Sequence, residues 1–533
     1  MRDKFYNTTM LVRFILRRER IISSLWIFLT TGIVALLCLG LEVAVDEVSR
    51  FEMLLVLENP AMVAMIGPII GADNFTVGAM FTTFMLLFTA LVVCVMNVML
   101  VVRHTRADEE KGRYEVVRSL PTGRLAHLNA TFIVAILVNI ALAVLMGLLL
   151  FLVGDASMTF NGSMLWGATL GSIGFVFAAI AAVFSQASAS AKGAMGYSLF
   201  VMGIFYMMRA VGDVSVEILS LISPLGLILQ GEAYASNNWW PVFVLLGITI
   251  PIMILAYRLN LTRDIDQGLL PDKQGKAVGG MLLKTPFGLA LKLCKAGLII
   301  AVVTIFAIGA SYGTIMGDID AFIEANEFYQ QLILWMDGIS MPLLFAGMIN
   351  FVAAMIALIP SLLYVLKARS EEKEIRAELL LATPVCRLIY LGSYVIIAFV
   401  SSIIFQLLTA LGLWVSATAV LIYPGEFPLG TVILANLAYL PAIWVMIGLT
   451  VLLVGILPKL TGLIWAIYGT VFMIEMFGRM DIFPAWMQNI SPFGFVVQYP
   501  MESINWLSMI ALTLIAAGLI AIGLVGFRRR DVV

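Results

Sequence analysis

The chain has 533 residues, 62% of them hydrophobic and 12% charged, with a net charge of −1 and a mean hydropathy of +1.03. Soluble domains carry about 25% charged residues, so this composition excludes a soluble globular protein. The near-neutral charge offers no field that would attract nucleic acid.

Apolar runs of about eighteen residues or more cross a hydrocarbon core of roughly 30 Å. In chain order twelve are expected, near 21–42, 78–102, 129–153, 164–186, 194–211, 240–257, 297–315, 340–366, 390–415, 432–456, 460–477 and 507–526. The bilayer supplies no water to the backbone, so these runs must be helices. They are continuous rather than alternating, which excludes a β-barrel. The first run is too long for a signal-peptide core and lacks a small-residue cleavage site, so it reads as a membrane anchor. Cys38, Cys94, Cys294 and Cys386 fall in helices or inner loops and imply no disulfide framework.

With the N-terminus inside, 29 of the 32 lysines and arginines fall in inner segments, and only Arg50, Arg209 and Arg479 lie outside. Thr314 to Gly338 is an outer stretch with acids and no base, and Val43 to Gly78 is a second long acidic outer loop. This asymmetry places both termini in the cytoplasm.

Two polar strings interrupt the apolar pattern. "RADEEKGRYEVVRSLPTGRL" begins at Arg106 and "RSEEKEIRAELLLATPVCRL" at Arg369. They align without a gap, with identities at Arg106/Arg369, Glu109/Glu372, Arg113/Arg376, Glu115/Glu378, Pro121/Pro384, Arg124/Arg387 and Leu125/Leu388. A second repeat pairs "ISPLGLILQ" from Ile222 with "ISPFGFVVQ" from Ile490. Two repeats in one order mean an internal duplication. A six-helix repeat returns to its starting side, so the halves are parallel. The fold class is all-α: a polytopic membrane helical bundle of 12 transmembrane helices as two parallel six-helix repeats. Residues 1–257 form the first repeat, 258–285 a cytoplasmic linker containing "QGLLPDKQGKAVGG", and 286–533 the second repeat. Basic residues mixed with apolar ones at 8–20 and 286–296 predict a short helix along the inner surface before each half.

Each string predicts a short cytoplasmic helix, 106–121 and 369–384. Acids open it in favour of the helix dipole. Glu109–Arg113 and Glu372–Arg376 stand in the favoured i,i+4 order, and Pro121 or Pro384 ends it. Topology needs only positive charge, yet both copies keep glutamates, a proline and their spacing. A docking surface is therefore expected rather than a solvated loop. The spans are nearly free of ionisable residues, which argues against proton or sodium coupling. No phosphate loop is present: the nearest string, Gln274–Lys276, has Leu270 where its first glycine belongs and Ala277 where Ser or Thr belongs. No zinc-protease or serine-nucleophile motif appears. The remaining energy source is an external motor on the two polar helices.

The "RFILRRERI" start, the duplicated "EExxxRxExxxxxP" string and "GLALKL" resemble the membrane subunit of ABC exporters of the G-subfamily-like class. Within it the chain resembles the fused two-repeat permeases of Gram-positive bacteria that export polyketide or ionophore antibiotics (tetronasin-type). The resemblance covers the whole chain. It implies connecting helices at 8–20 and 286–296 and coupling helices at 106–121 and 369–384. Glu109, Arg113, Glu115, Pro121 and Arg124, with Glu372, Arg376, Glu378, Pro384 and Arg387, would seat in two copies of a separate ATPase subunit. That partner would bind ATP and Mg; this chain would hold no cofactor or metal and have no catalytic residue of its own. Closure of the motor pair would rock one half against the other to expel the cargo. The cargo would be a hydrophobic small molecule, antibiotic or drug-like, leaving through a bacterial plasma membrane. Lys373 for Glu110 and Ile375 for Gly112 set the second copy apart, so the two motor sites need not be equivalent.

Ser223, Pro224, Gly226 and Gln230, with Ser491, Pro492, Gly494 and Gln498, have two readings. They form an outer gate in a re-entrant segment, or each Ser caps a surface helix with Pro in its first turn. Asn97, Tyr206, Asn350 and Tyr468 fall on spans that the resemblance places along the cargo path. Against that, a membrane Asn commonly bonds a neighbouring helix, and Tyr near an interface anchors it. Alternatives to an ATP-driven drug exporter are an ion-coupled secondary carrier, a membrane enzyme or scramblase working alone, and an ABC permease for a lipid or polymer intermediate.

Overall fold

The computed structural model describes residues 2–44, 54, 57, 60–153, 155–264, 267–269, 279–318, 341–421, 423, 425, 427–478 and 485–530. Much of the loop after Val43, most of the acidic stretch from Thr314, and Arg50, Arg479 and Gln274–Lys276 lie outside the described residues. The chain falls into two compact units, Met1–Gln274 and Gly275–Val533.

Among the described residues the chain is helical, with no strand. The first unit contains α1 (Thr8–Ala44), α2 (Pro60–Ile66), α3 (Val77–His104), α4 (Arg106–Glu110), α5 (Arg113–Arg118), α6 (Ala126–Val153), α7 (Phe160–Ala187), α8 (Ala191–Val214), α9 (Glu217–Ile222), α10 (Pro224–Leu227) and α11 (Trp240–Thr262). The second contains α12 (Pro286–Thr314), α13 (Met341–Lys373), α14 (Arg376–Leu381), α15 (Arg387–Val420), α16 (Leu429–Leu437), α17 (Leu440–Ile456), α18 (Leu463–Gly478), α19 (Ala485–Gln488) and α20 (Trp506–Arg529).

Several starts follow from local chemistry. Thr76, Thr159 and Ser190 stand at the N-caps of α3, α7 and α8, and their hydroxyls accept the amides of Ala79, Gly162 and Gly193. Each such cap satisfies a donor the helix cannot satisfy itself. Eleven helices among the described residues are long and apolar enough to cross a membrane. The run expected at 460–477 is shorter: α18 has 16 residues, because the chain leaves α17 through turns at Pro458–Gly462 and re-enters helix only at Leu463.

The separate surface helices expected at 8–20 and 286–296 are not separate. Residues 8–20 open α1, a single helix of 37 residues, and 286–296 open the 29-residue α12. No proline interrupts Thr8–Ala44. At 1.5 Å per residue α1 is about 55 Å long, enough to cross the bilayer and extend well beyond it.

In the first unit α7 packs against α3, α6 and α11, and α1 lies on α6. Small residues permit the close crossings: a Cβ on Gly167 of α7 would lie 2.2 Å from the Ala143 carbonyl oxygen of α6. The second unit pairs α12 with α15 and α17 with α20. There a Cβ on Gly309 would sit 2.5 Å from the Thr409 oxygen, and one on Gly455 would sit 1.9 Å from the Gly523 oxygen. Membrane helices gain little from apolar burial against each other, so glycine contacts that bring backbones together carry much of the packing.

Candidate functional site

The polar strings are not the continuous helices expected at 106–121 and 369–384. In the first, α4 is one short turn, Gly112 adopts φ +68°, and α5 starts at Arg113. In the second, α13 runs on to Lys373, and Ile375 at φ +62° precedes α14. A left-handed residue turns the chain, so the i,i+4 register is lost. Glu109 does not meet Arg113, nor Glu372 Arg376. Instead Arg113 pairs with Asp108 at 3.2 Å and Arg376 Nε donates to Glu371 at 2.6 Å. The hydrogen bond that Arg376 donates to Glu371 raises its guanidinium above the ordinary value.

Glu109 and Glu372 turn inward, where each meets an arginine from outside its polar string. Arg263 is the C-cap of α11, and its two terminal nitrogens donate to the Glu109 carboxylate at 2.7 and 2.6 Å. Arg530 is the C-cap of α20 and meets Glu372 in the same fork at 2.6 and 2.7 Å. Arg106 adds a second cation to Glu109 at 3.1 Å, and Arg369 adds one to Glu372 at 2.9 Å. Arg106 also donates to the Ala189 carbonyl in the turn before α8, and Arg369 to the Pro458 carbonyl in the turn before α18.

Arg124 and Arg387 finish the arrangement. Arg124 donates to the carbonyls of Asn260 and Arg263 at 3.1 and 2.8 Å, and Arg387 to those of Arg528 and Arg530 at 3.3 and 2.6 Å. These are the orphan acceptors of a helix C-terminus, where a cation also suits the dipole. Two duplicated residues of each string, Glu109 and Arg124 or Glu372 and Arg387, therefore form an internal clamp on the last membrane helix of their own unit, and a third, Arg106 or Arg369, braces the carboxylate. A sequence signal for its far side exists: Arg263–Asp264 and Arg530–Asp531 end the sixth and last apolar runs alike.

Three further duplicated residues of each string point out. Arg113, Glu115 and Pro121 are exposed, as are Arg376, Glu378 and Pro384. Beside them Val116 is 69% exposed and Leu379 76%. The units differ beneath these tips. In the first, the Tyr114 ring packs on His127 with centroids 5.3 Å apart, and burial raises its phenol above the ordinary value. The gapless repeat puts Ala377 at Tyr114's place, and there a cavity of about 170 Å³ is lined by Leu289, Leu293, Ala377, Leu380, Tyr390 and Tyr394 among others. On the first unit's other flank Arg18 of α1 grips Asp108, while Glu19 holds Arg103 at 3.0 Å and His104 at 2.7 Å.

The Ser-Pro turns lie where each fifth helix is followed by short segments. Ser223 precedes Pro224 of α10, but its hydroxyl donates to the Phe205 carbonyl at 2.7 Å instead of capping. Ser491 does cap its turn, accepting from the Phe493 amide at 3.1 Å. A Cβ on Gly226 would lie 2.1 Å from the Ser220 oxygen, and one on Gly494 would lie 2.3 Å from the Gln488 oxygen. Each glycine thus seats its turn on the residue six positions earlier. Gln230 and Gln498 are half-buried. Nearby in the first unit, buried Arg209 bonds Asp213 at 3.0 Å and the Ala64 carbonyl at 2.6 Å, holding the end of α2.

Of the four residues expected along a cargo path, three have internal partners. The amides of Asn97 and Asn139 bond reciprocally at 3.0 and 2.7 Å. Tyr206 donates to the Met65 carbonyl at 2.8 Å and Tyr468 to that of Met355 at 3.1 Å. Asn350 is buried, and neither amide atom has a hydrogen-bond partner among the described residues.

A duplicated apolar helical bundle whose halves each clamp a polar string to their last span defines a polytopic membrane protein. Residues 29–258 and 283–528 match the family model described as multidrug efflux system permease Rv1217c, C-terminal domain. The chain is 31% identical over 538 residues to multidrug efflux system permease protein Rv1217c of Mycobacterium tuberculosis (strain H37Rv), covering 99% of this chain and 96% of that relative. The chain belongs to this family of multidrug efflux permeases.

Proposed function

We propose that the chain is the membrane subunit of an ABC-type exporter that moves hydrophobic or amphipathic small molecules outward across a bacterial plasma membrane. Two copies of a separate ATPase, with their ATP and Mg, seat on α5 and α14. Both termini face the cytoplasm with the polar strings. By resemblance the cargo includes polyketide or ionophore antibiotics of the tetronasin type.

The observation that carries this reading is the pair of exposed tips. Each offers a glutamate (Glu115 or Glu378) beside an exposed aliphatic side chain (Val116 or Leu379), on a short helix anchored from beneath. Apolar side chains presented among charges mark protein contacts rather than solvated loops. Ion coupling has less support. Among the described residues the buried ionisable ones belong to the polar-string clusters or, like Arg209 and Glu475, lie near helix ends. Asn350 is the favoured cargo contact, because a buried amide without a partner costs free energy that a ligand can offset. The Ser-Pro turns remain the proposed outer gate.

Glu115→Arg combined with Glu378→Arg tests the docking assignment. Both side chains are exposed, so membrane insertion and folding should persist. Co-purification with the ATPase should be lost and efflux should fall to that of cells lacking the permease. Normal efflux by the double variant would remove α5 and α14 from the mechanism.

A further inference from the structure

The clamp occurs twice with the same chemistry, and stability alone does not account for it. A buried ion pair is commonly matched or exceeded in stability by apolar residues of similar volume. What a fork between guanidinium and carboxylate adds is fixed orientation, because two parallel hydrogen bonds resist both rotation and sliding. Here the fork is buried: the side chains of Glu109 and Arg263 are 3% and 7% exposed. Salt therefore screens it little.

Its placement is specific. Arg263 and Arg530 are the first residues beyond α11 and α20, the last spans of their units. Their side chains are held by Glu109 and Glu372, just before the left-handed residues from which α5 and α14 project. Their backbone carbonyls are held by Arg124 and Arg387, just after those tips. Each tip is thus flanked on both sides in sequence by residues fastened to one helix end. A third tie, from Arg106 or Arg369, reaches the turn that opens the fifth span.

We propose that Arg263 and Arg530 are positioning residues that make each polar string and the last membrane helix of its own unit move as one body. Force applied at α5 is delivered to α11, and force at α14 to α20. This rests on the reading that α5 and α14 receive the motor. It goes beyond that reading by naming the helices that are driven and the residues that drive them.

The test uses the full permease–ATPase complex in proteoliposomes with ethidium as the transported probe. Single removal of Glu109 or Arg263 strands a buried charge and risks misfolding. The variants are therefore neutral pairs in which the second cation is removed as well: Glu109→Leu with Arg263→Met, made together with Arg106→Met, and Glu372→Leu with Arg530→Met, made together with Arg369→Met. These should fold, melt near the parent and co-purify with the ATPase. Ethidium moved per ATP hydrolysed should fall roughly tenfold in each, within the range typical of coupling between sites. Arg263→Lys keeps the charge but not the fork, so it should fall between parent and neutral pair. A neutral pair that folds and transports as many ethidium molecules per ATP as the parent would overturn the proposal. So would one that folds but no longer binds the ATPase, since the clamp would then only shape the docking surface. If the parent complex itself moves ethidium without ATP, the motor reading fails instead, and the two failures are told apart by the parent alone.

Discussion

Gly174 offers the sharpest test of the first unit's interior. It lies on α7 against the Asn97–Asn139 pair, and a Cβ there would stand 2.2 Å from Asn139 Oδ1 and 2.6 Å from Asn97 Nδ2. Real Cβ atoms do not approach so closely, so Gly174→Ala must open the pair. Two interhelical hydrogen bonds in a membrane are worth about 0.6 kcal/mol each. Overpacking a filled interior adds about 1–3 kcal/mol. The expected loss is thus about 2–4 kcal/mol, read as the change in unfolding free energy in mixed detergent micelles. In an Asn139→Ala background the nearest obstacle is gone, and the same substitution should cost about 1 kcal/mol or less, leaving a coupling energy of about 1–3 kcal/mol. A Gly174→Ala protein within about 0.5 kcal/mol of the parent, or strictly additive costs, would refute the packing argument. The cycle also bears on function: were Asn97 a cargo contact, Asn97→Ala would shift the drug spectrum and leave stability unchanged.

Ile375 holds a left-handed conformation that the matched position fills with Gly112, and its side chain is 64% exposed. Ile375→Gly should stabilise the second unit by about 1 kcal/mol, seen as a raised midpoint of thermal unfolding, because relief of the β-branched strain exceeds glycine's entropic cost. A lowered midpoint would mean that the Ile375 side chain makes a contact worth more than the strain. Asn350→Leu should leave folding intact or improve it, since no hydrogen bond is lost, while changing which drugs are exported. An unchanged resistance profile across chemically different drugs would take Asn350 off the cargo path.

The membrane helices were legible because a bilayer imposes one rule on every crossing segment, and apolar runs of sufficient length obey it. The duplication was legible for a related reason: the polar strings stand out against that background. Partner choice was not. Glu109 sits four residues before Arg113, and local spacing favours their pairing, but the left-handed residue at Gly112 lies between them and breaks the register. Glycine alone does not announce that turn, and Ile375 at the matched place argues against it. Arg263 lies 154 positions from Glu109, so their fork is a fact of folding rather than of local pattern. Asn97 presents the same difficulty: a lone amide in a membrane helix reads equally as a cargo contact or as helix glue until Asn139 and Gly174 are seen beside it. The continuous α1 was missed because its basic opening looks like a surface helix, whereas Arg18 and Glu19 have partners on α3 and α4 that hold the helix straight through.

Drug uptake into inside-out vesicles containing the permease and its ATPase tests the central claim most directly, with ATP level and proton gradient varied separately. ATP should drive uptake, an ionophore that collapses the gradient should leave it standing, and permease without ATPase should give none. Uptake by the permease alone, or uptake that disappears with the gradient while ATP stays high, would contradict the account.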